Sequence, residues 1–285
     1  MIGFPVSAGM PEAFSFNQAT ANHWPTPDLI AGCVAAGVRQ VGLWREQTAE
    51  YGLDHTVRAV RGAGLRVSTL CRGGFFDRPG WLDSNRAAID EAVALEAPVL
   101  VLVSGGLPTG DRDIDGARQR VAEAIAELAP YAASAGVQLA IEALHPMYAA
   151  DRCVVSTLSQ ALDIAEAHPL GVVGVVVDTY HLWWDDRVYQ QIARAGARIA
   201  SFQLADWITP LPAGVLLGRA LPGAGCVELA RLWRAVVAAG YTGPVEVEVF
   251  NDELWARPGE EILADTLAAY ASIAGELADE LATGS

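Results

Sequence analysis

Short runs of β-branched and aliphatic residues alternate along this chain with longer alanine-rich segments, in which apolar positions repeat every three to four residues. The short runs have the composition of strands buried on both faces, and the longer segments have the period of amphipathic helices. Eight runs are predicted to be strands: 13–17, 38–44, 65–71, 98–104, 137–142, 172–178, 198–203 and 245–250. The clearest helical segments between them are 117–133 and 229–239.

Alanine followed by glycine closes several predicted helices, and the next strand begins at once, as at Gly37, Gly64, Gly136 and Gly240. Glycine suits the left-handed cap that ends a helix. The repeat of ~30 residues is the size of one strand–helix module. Eight modules in 285 residues favour a (β/α)8 TIM barrel over a doubly wound sheet. Because no linker or break in composition divides the chain, we predict one α/β domain spanning residues 1–285.

Composition and charge exclude several classes of partner. The chain is 52% hydrophobic and has a formal net charge of -15, which argues against nucleic acid and against an anionic membrane surface. No stretch reaches the ~18 uninterrupted apolar residues of a membrane span, and the N-terminal residues do not resemble a signal peptide. The four cysteines lie far apart, which favours reduced thiols. We therefore expect a cytoplasmic protein.

Four predicted strands carry an acid or an amide at or near their carboxyl ends, namely Glu142, Asp178, Gln203 and Glu248. Catalytic groups gather at this end of (β/α)8 barrels. Since an unpaired buried carboxylate is costly, four such side chains meeting at one point predict a cation site with oxygen ligands. Alternatively, the acids pair with Arg219 or Arg152. Glu246 shares a face of the last strand with Glu248 and is expected to lie deeper, beside a basic partner.

The segments around these residues are EALHPMYAADR, DTYHLWWD, QLADW and VEVEVF. Together they resemble the sugar-phosphate isomerase/epimerase superfamily of xylose-isomerase-like barrels, over most of the chain and most densely from 140 to 250. The resemblance implies that Glu142, Asp178, residue 203 and Glu248 bind one divalent metal. The third ligand of the family is usually histidine, whereas here it is Gln203. Because glutamine offers a carbonyl oxygen, the set suits Mn²⁺ or Mg²⁺ better than Zn²⁺.

Other residues are expected to move protons or to contact the substrate. The resemblance implies that His181 faces the substrate. Pro146 biases His145 toward an extended backbone that would aim its ring over the barrel mouth as a base, unless it is a structural loop histidine. Glu142 and Glu248 are the other acid–base candidates. The remaining predicted substrate contacts are Trp44, Arg72, Phe76, Trp183 and Arg219.

These groups predict chemistry beside a carbonyl. A metal that chelates a ketone and a neighbouring hydroxyl acidifies the adjacent C–H bond. The return of the proton then gives epimerisation or isomerisation, whereas loss of a group on the next carbon gives elimination. The ligand set does not separate these outcomes.

Gln203 with Asp206-Trp207 resembles the catalytic α subunits of bacterial C-glycoside deglycosidases, which act on 3-oxo-glycosides and need a smaller β subunit. The resemblance implies that activity and a carbohydrate substrate, in a hetero-oligomer with a β subunit or a homo-oligomer. The alternatives are a sugar (phosphate) isomerase or 3-epimerase, a hydroxypyruvate-isomerase-like enzyme, and a non-catalytic sugar-binding barrel. Endonuclease IV shares the fold but uses a histidine-rich zinc cluster, which five histidines fit badly.

Overall fold

The structure is a computed structural model that describes residues 13–212 and 214–283. Eight parallel strands close into a barrel in which every strand pairs with its neighbours in the chain, and β1 pairs with β8. The strands are β1 Phe14–Asn17, β2 Gln40–Trp44, β3 Arg66–Gly74, β4 Val99–Val103, β5 Gln138–Glu142, β6 Val173–Asp178, β7 Ile199–Leu204 and β8 Val245–Val247. The predicted single-domain (β/α)8 barrel is therefore confirmed, while the bounds 1–285 stay a prediction.

Helices follow the strands and cover the outside of the barrel. They are α1 Thr26–Ala35, α2 Arg45–Tyr51, α3 Leu53–Gly62, α4 Trp81–Ala94, α5 Ile114–Ala135, α6 Leu158–Ala165, α7 Thr179–Leu182, α8 Val188–Ala195, α9 Leu229–Ala238, α10 Asp252–Trp255 and α11 Gly259–Thr283. Single 3-10 turns occur at Gln18–Ala21, Pro146–Tyr148, Gly196–Arg198 and Val215–Leu217. Among the described residues, no helix combines the length and the apolar character that a membrane crossing needs.

The core has two parts, because successive residues of a strand point to opposite faces. On β4, Leu100 and Leu102 belong to the large cluster beneath the helices. Val99 and Val101 belong to a second, small cluster inside the barrel, together with Cys71, Ala140 and Val176. The same alternation carries the polar residues inward: Glu142 follows Ala140 by two positions, and Asp178 follows Val176 by two.

Strand β3 runs three residues past its predicted end at Cys71. Glycine permits this extension, because a Cβ atom on Gly74 would lie 1.9 Å from the carbonyl oxygen of Val103 on β4. Gly74 also has a φ of 99°, a conformation that favours glycine. Conversely, β8 ends at Val247 and not at the predicted Phe250. Glu248 therefore lies just beyond the last strand, at the mouth.

A short antiparallel strand pair follows β7 and was not predicted from the sequence. It joins Asp206–Trp207 to Arg219–Ala220. The buried carboxylate of Asp206 accepts four backbone N–H bonds of 2.8 to 3.0 Å. One comes from Trp207 in the first strand, and the others come from Gly223, Gly225 and Val227 after the second strand. This anchor folds the loop back and places Arg219 over the carboxyl-terminal end of the barrel.

Candidate functional site

Three carboxylates meet at the carboxyl-terminal end of the barrel. Glu142 is the last residue of β5, Asp178 is the last residue of β6, and Glu248 follows β8 directly. All three are buried. Ligand atoms of Glu142, Asp178 and His181 lie within 4.8 Å of one another. Glu248 belongs to a second such group, with Cys71 and Glu246, and Arg219 joins the two groups because its Nη1 bonds both Asp178 and Glu248.

Burial and mutual repulsion disfavour the ionised form of these acids. Burial, followed by the charges of Glu248 and Asp178, raises the pKa of Glu142 well above its usual value. Burial also raises the pKa of Asp178, although the Arg219 charge opposes the shift. The pKa of Glu248 is raised by burial to about 7, again against Arg219. The positive charge near these acids is therefore too small to keep their pKa values in the usual range.

Arg219 provides the nearest positive charge. Its Nη1 donates to Glu248 Oε2 at 2.8 Å and to Asp178 Oδ2 at 3.2 Å. The alternative in which acids pair with Arg219 is thus realised for two of them, whereas Arg152 makes no ion pair among the described residues. Three carboxylates against one guanidinium leave two negative charges when all are ionised. A divalent cation would balance that charge.

Gln203 supplies a fourth oxygen. It lies on β7, in register with Asp178 on β6 and with Glu246 on β8. Its Nε2 donates to Glu246 Oε1 at 3.0 Å, which fixes the amide orientation because only the nitrogen can donate to a carboxylate. Its Oε1 is buried without a hydrogen-bond partner. An orphaned buried oxygen on the strand next to Asp178 fits the donor set of a hard divalent metal.

Glu246 lies one layer deeper than Glu248, as expected from the strand. The expected basic partner is wrong, because uncharged groups satisfy this carboxylate. Its hydrogen-bond donors, besides Gln203, are Ser15, Asn17, Ser68 and Thr69. The shortest bond, from Ser68, is 2.6 Å. Asn17 also donates to Glu248 Oε1 at 3.1 Å, so Glu246 and Glu248 share a donor.

Both predicted histidines lie near the acids, but in different settings. His181 is buried, and its Nε2 lies 3.8 Å from Glu142 and 3.9 Å from Asp178. Burial and the Arg219 charge lower its pKa well below the usual value, so the ring is neutral. His145 has the predicted extended backbone, and its N–H donates to His181 Nδ1 at 3.2 Å.

The ring of His145 does not line the space in front of the acids. Its Nδ1 accepts the Met147 N–H at 3.3 Å. The ring packs 5.5 Å from Trp184 and 5.1 Å from Trp207 between ring centroids. Burial lowers the pKa of this half-buried imidazole. This arrangement resembles the structural loop histidine that the sequence left open.

A narrow cavity of about 30 Å³ lies in front of the acids. Residues that line it include Trp44, Arg72, Glu142, Arg152, Arg219 and Phe250. Leu216, on the loop after β7, closes one side. Sites for small molecules usually measure ~300–1,000 Å³, so this cavity is smaller than a typical sugar site.

Two predicted substrate contacts lie elsewhere. Phe76 packs on Trp81 with ring centroids 5.4 Å apart and lines a separate small cavity. Trp183 packs 5.6 Å from Trp207. In contrast, Trp44 lines the main cavity, and its Nε1 donates to Asn17 Oδ1 at 2.8 Å. Sequence reasoning missed Asn17 as a site residue, although its place at the end of β1 is the signal that identified the acids.

A larger cavity of about 580 Å³ opens at the other end of the barrel. Its lining includes Arg66 at the start of β3, Pro98 before β4 and Pro244 before β8. In this fold, groups at the amino ends of the strands serve stability and those at the carboxyl ends serve catalysis. We therefore place the functional site at the smaller cavity.

Comparisons with known proteins agree with this architecture. Residues 30–273 match the family described as xylose isomerase-like TIM barrel. A crystal structure of a protein from Sinorhizobium meliloti 1021 is 44% identical, with a TM-score of 0.89, and the match covers 92% of this chain and 98% of that one. The zinc-bound IolI protein has a TM-score of 0.81 over 93% of this chain and 99% of that one. At 20% identity, that likeness concerns the fold alone.

Two kinds of enzyme occur among the sequence relatives. A 3-dehydroshikimate dehydratase of Pseudomonas aeruginosa is 33% identical over 256 residues, which cover 85% of this chain but 38% of that enzyme. An inosose isomerase of Halalkalibacterium halodurans is 28% identical over 232 residues, which cover 76% of this chain and 80% of that enzyme. The chain thus spans well under half of the dehydratase and most of the isomerase.

Proposed function

The chain belongs to the xylose isomerase-like TIM barrel family, and from that premise we propose that it is a divalent-metal-dependent isomerase or epimerase of an oxo-sugar or oxo-polyol. The enzyme would act by moving a proton on the carbon next to the carbonyl group. The observation that carries the proposal is the cluster of three buried carboxylates with the unpartnered oxygen of Gln203. A cation and a base held together are what this chemistry needs.

The sequence relatives favour an isomerase or epimerase over an enzyme that cleaves C-glycosides. An inosose isomerase and a 3-dehydroshikimate dehydratase are among them, and both names describe oxo-substrates. The smaller β subunit, which the deglycosidase resemblance required, has no support here. Whether the chain forms an oligomer stays a prediction.

The proposed metal ligands are Glu142, Asp178, Gln203 and Glu248. When bound, the cation would polarise the substrate carbonyl and stabilise the negative charge that develops as the neighbouring proton leaves. Because all four donor atoms are oxygens, we propose Mn²⁺ or Mg²⁺ over Zn²⁺. IolI binds zinc, but its 20% identity does not transfer that choice to this site.

We assign proton transfer to Glu142 and Glu248, since both line the cavity. Arg219 and His181 also line it and can bond the substrate oxygens. Arg219 would neutralise charge on those oxygens, while neutral His181 is held in position by the backbone N–H of His145. The assignment of His145 as the base stays a prediction and takes second place, because its ring lies outside the cavity lining.

Solvent exchange tests the proposal before the physiological substrate is known. The Mn²⁺-loaded protein is incubated in D₂O with inosose, and deuterium incorporation is followed by NMR. We expect exchange next to the carbonyl, its loss on chelation, and its loss in Glu142→Gln. Exchange that continues unchanged in the presence of chelator would overturn the metal-dependent mechanism.

Elimination of water is the second candidate, because the dehydratase relative matches 85% of this chain. Both reactions begin with the same proton removal, so the acids do not distinguish them. Product mass does: isomerisation and epimerisation leave the mass unchanged, whereas dehydration lowers it by one water. Mass analysis after incubation with inosose and with 3-dehydroshikimate separates the two.

A further inference from the structure

We propose that the substrate carries a carboxylate, which Arg72 and Arg152 bind at the edge of the cavity. This inference rests on the proposed function and deepens it by naming the class of substrate, an acidic oxo-polyol. Both arginines line the same cavity as Glu142. With four acids counted, Arg219 and a divalent cation leave one negative charge, so the two arginines together exceed what the acids need.

Arg152 lies in the loop after β5. Its side chain makes no hydrogen bond or ion pair with any described residue, although the charges of Tyr148 and Asp151 favour its charged form. It is partly buried, and burial together with the Arg72 and Arg219 charges lowers its pKa. A partly buried guanidinium beside two other positive charges makes this edge of the cavity attractive to an anion.

Arg72 is only loosely held. Its one ion pair with a described residue, the exposed Glu46, is long at 3.5 Å, and its Nε is buried without a partner. Its guanidinium instead lies over two aromatic rings, 5.2 Å from the centroid of Trp44 and 4.8 Å from that of Phe75. These contacts keep the group near the cavity while leaving its N–H donors available.

Counting charges favours a monoanion. Glu142, Asp178, Glu246 and Glu248 contribute four negative charges when ionised. Arg72, Arg152 and Arg219 contribute three positive charges, and a divalent cation contributes two more. With all four acids ionised, and with the exposed Glu46 and its long 3.5 Å contact to Arg72 left out, the loaded site has one positive charge in excess, which a carboxylate would neutralise and a phosphate dianion would exceed. The planar fork of arginine also matches a carboxylate well.

A carboxylic acid and its methyl ester, which differ in charge and by one methyl group, test this inference. Binding of 3-dehydroshikimate and of its methyl ester to the Mn²⁺-loaded protein is measured by calorimetry. We expect the acid to bind at least ~10-fold more tightly than the ester, since a hydrogen bond to a carboxylate is roughly twice as strong as one between neutral groups. In Arg152→Gln this preference should fall to about twofold, while metal content stays at the wild-type level. Arg152→Lys should retain part of it.

The exposed Arg61, on α3, gives a matched control: Arg61→Gln also removes a guanidinium, and it should keep the full preference. Equal affinity for acid and ester in the wild type, or an unchanged preference in Arg152→Gln, would overturn the inference. So would tight binding of D-fructose 6-phosphate without binding of the acid. If one of these results is obtained but deuterium exchange into neutral inosose persists, only the carboxylate inference is overturned and the proposed function stands. If the protein does not bind metal, the proposed function itself is overturned.

Discussion

Raising the pH of the metal-free protein from 5 to 8 should destabilise the fold, because the acid cluster then loses its protons inside the barrel. Burial raises the pKa of Glu248 from 4.5 to about 7, and the pKa values of Glu142 and Asp178 shift in the same direction. A carboxyl group whose folded pKa exceeds its unfolded pKa stabilises the fold at low pH. That contribution is lost as the pH rises through the folded value.

The magnitude follows from the Glu248 shift alone. At 1.36 kcal/mol per pKa unit, the whole shift corresponds to about 3 kcal/mol, of which about 2.5 kcal/mol falls between pH 5 and pH 8. Other acids also ionise over this range, so repulsion within a chain of net charge -15 also lowers its stability as the pH rises. This second loss of stability has to be measured separately from the Glu248 contribution.

Urea unfolding with a chelator present, followed by tryptophan fluorescence at both pH values, measures the free energy of unfolding. The control is Glu248→Gln, which cannot ionise at this position but keeps the background charge. Between pH 5 and pH 8, the free energy of unfolding of the wild type should fall by about 2–3 kcal/mol more than that of the variant. Adding Mn²⁺ at pH 8 should restore stability to the wild type by mass action. Equal losses in the two proteins would refute the reasoning.

Three further outcomes are expected. Glu142→Gln or Asp178→Asn should abolish metal binding; one metal per chain by elemental analysis in both would show that the ligands are assigned wrongly. Glu246→Gln should lower Mn²⁺ affinity by about 10- to 100-fold, because it frees the amide of Gln203. Ser68→Ala removes a donor to the same carboxylate and should change the Mn²⁺ affinity far less. Equal effects of the two substitutions would show that Glu246 does not position Gln203. Asp206→Asn should lower the thermal midpoint and weaken ligand binding, because four backbone N–H bonds hold the loop that carries Arg219; an unchanged midpoint would count against that anchor.

The barrel could be predicted because its signals are local. Strands buried on both faces are apolar throughout, and glycine marks the helix ends, so neither signal needs knowledge of the fold. The acids could be predicted for a related reason: a charge at the end of an apolar strand is conspicuous, and the fold brings such ends together.

The rest of the site depends on contacts between distant segments. Nothing near Gln203 in the sequence indicates that its amide nitrogen donates to Glu246, which lies 43 residues away. Phe76, which was predicted to contact the substrate, packs on Trp81. Its neighbour Phe75, which has a left-handed backbone with a φ of 51°, lies under Arg72. Arg152 was considered only as a partner for the acids, and its isolation becomes visible once Arg219 is seen to take that place.

Arg219 also bears on when the cation would arrive. Because an internal counter-charge is bonded to Asp178 and Glu248, we expect the barrel to form without the ion. Uptake and release would then proceed through the mouth of a finished protein. Occupancy would follow the current supply of the ion, and starvation or repletion would switch existing molecules off or on without new synthesis.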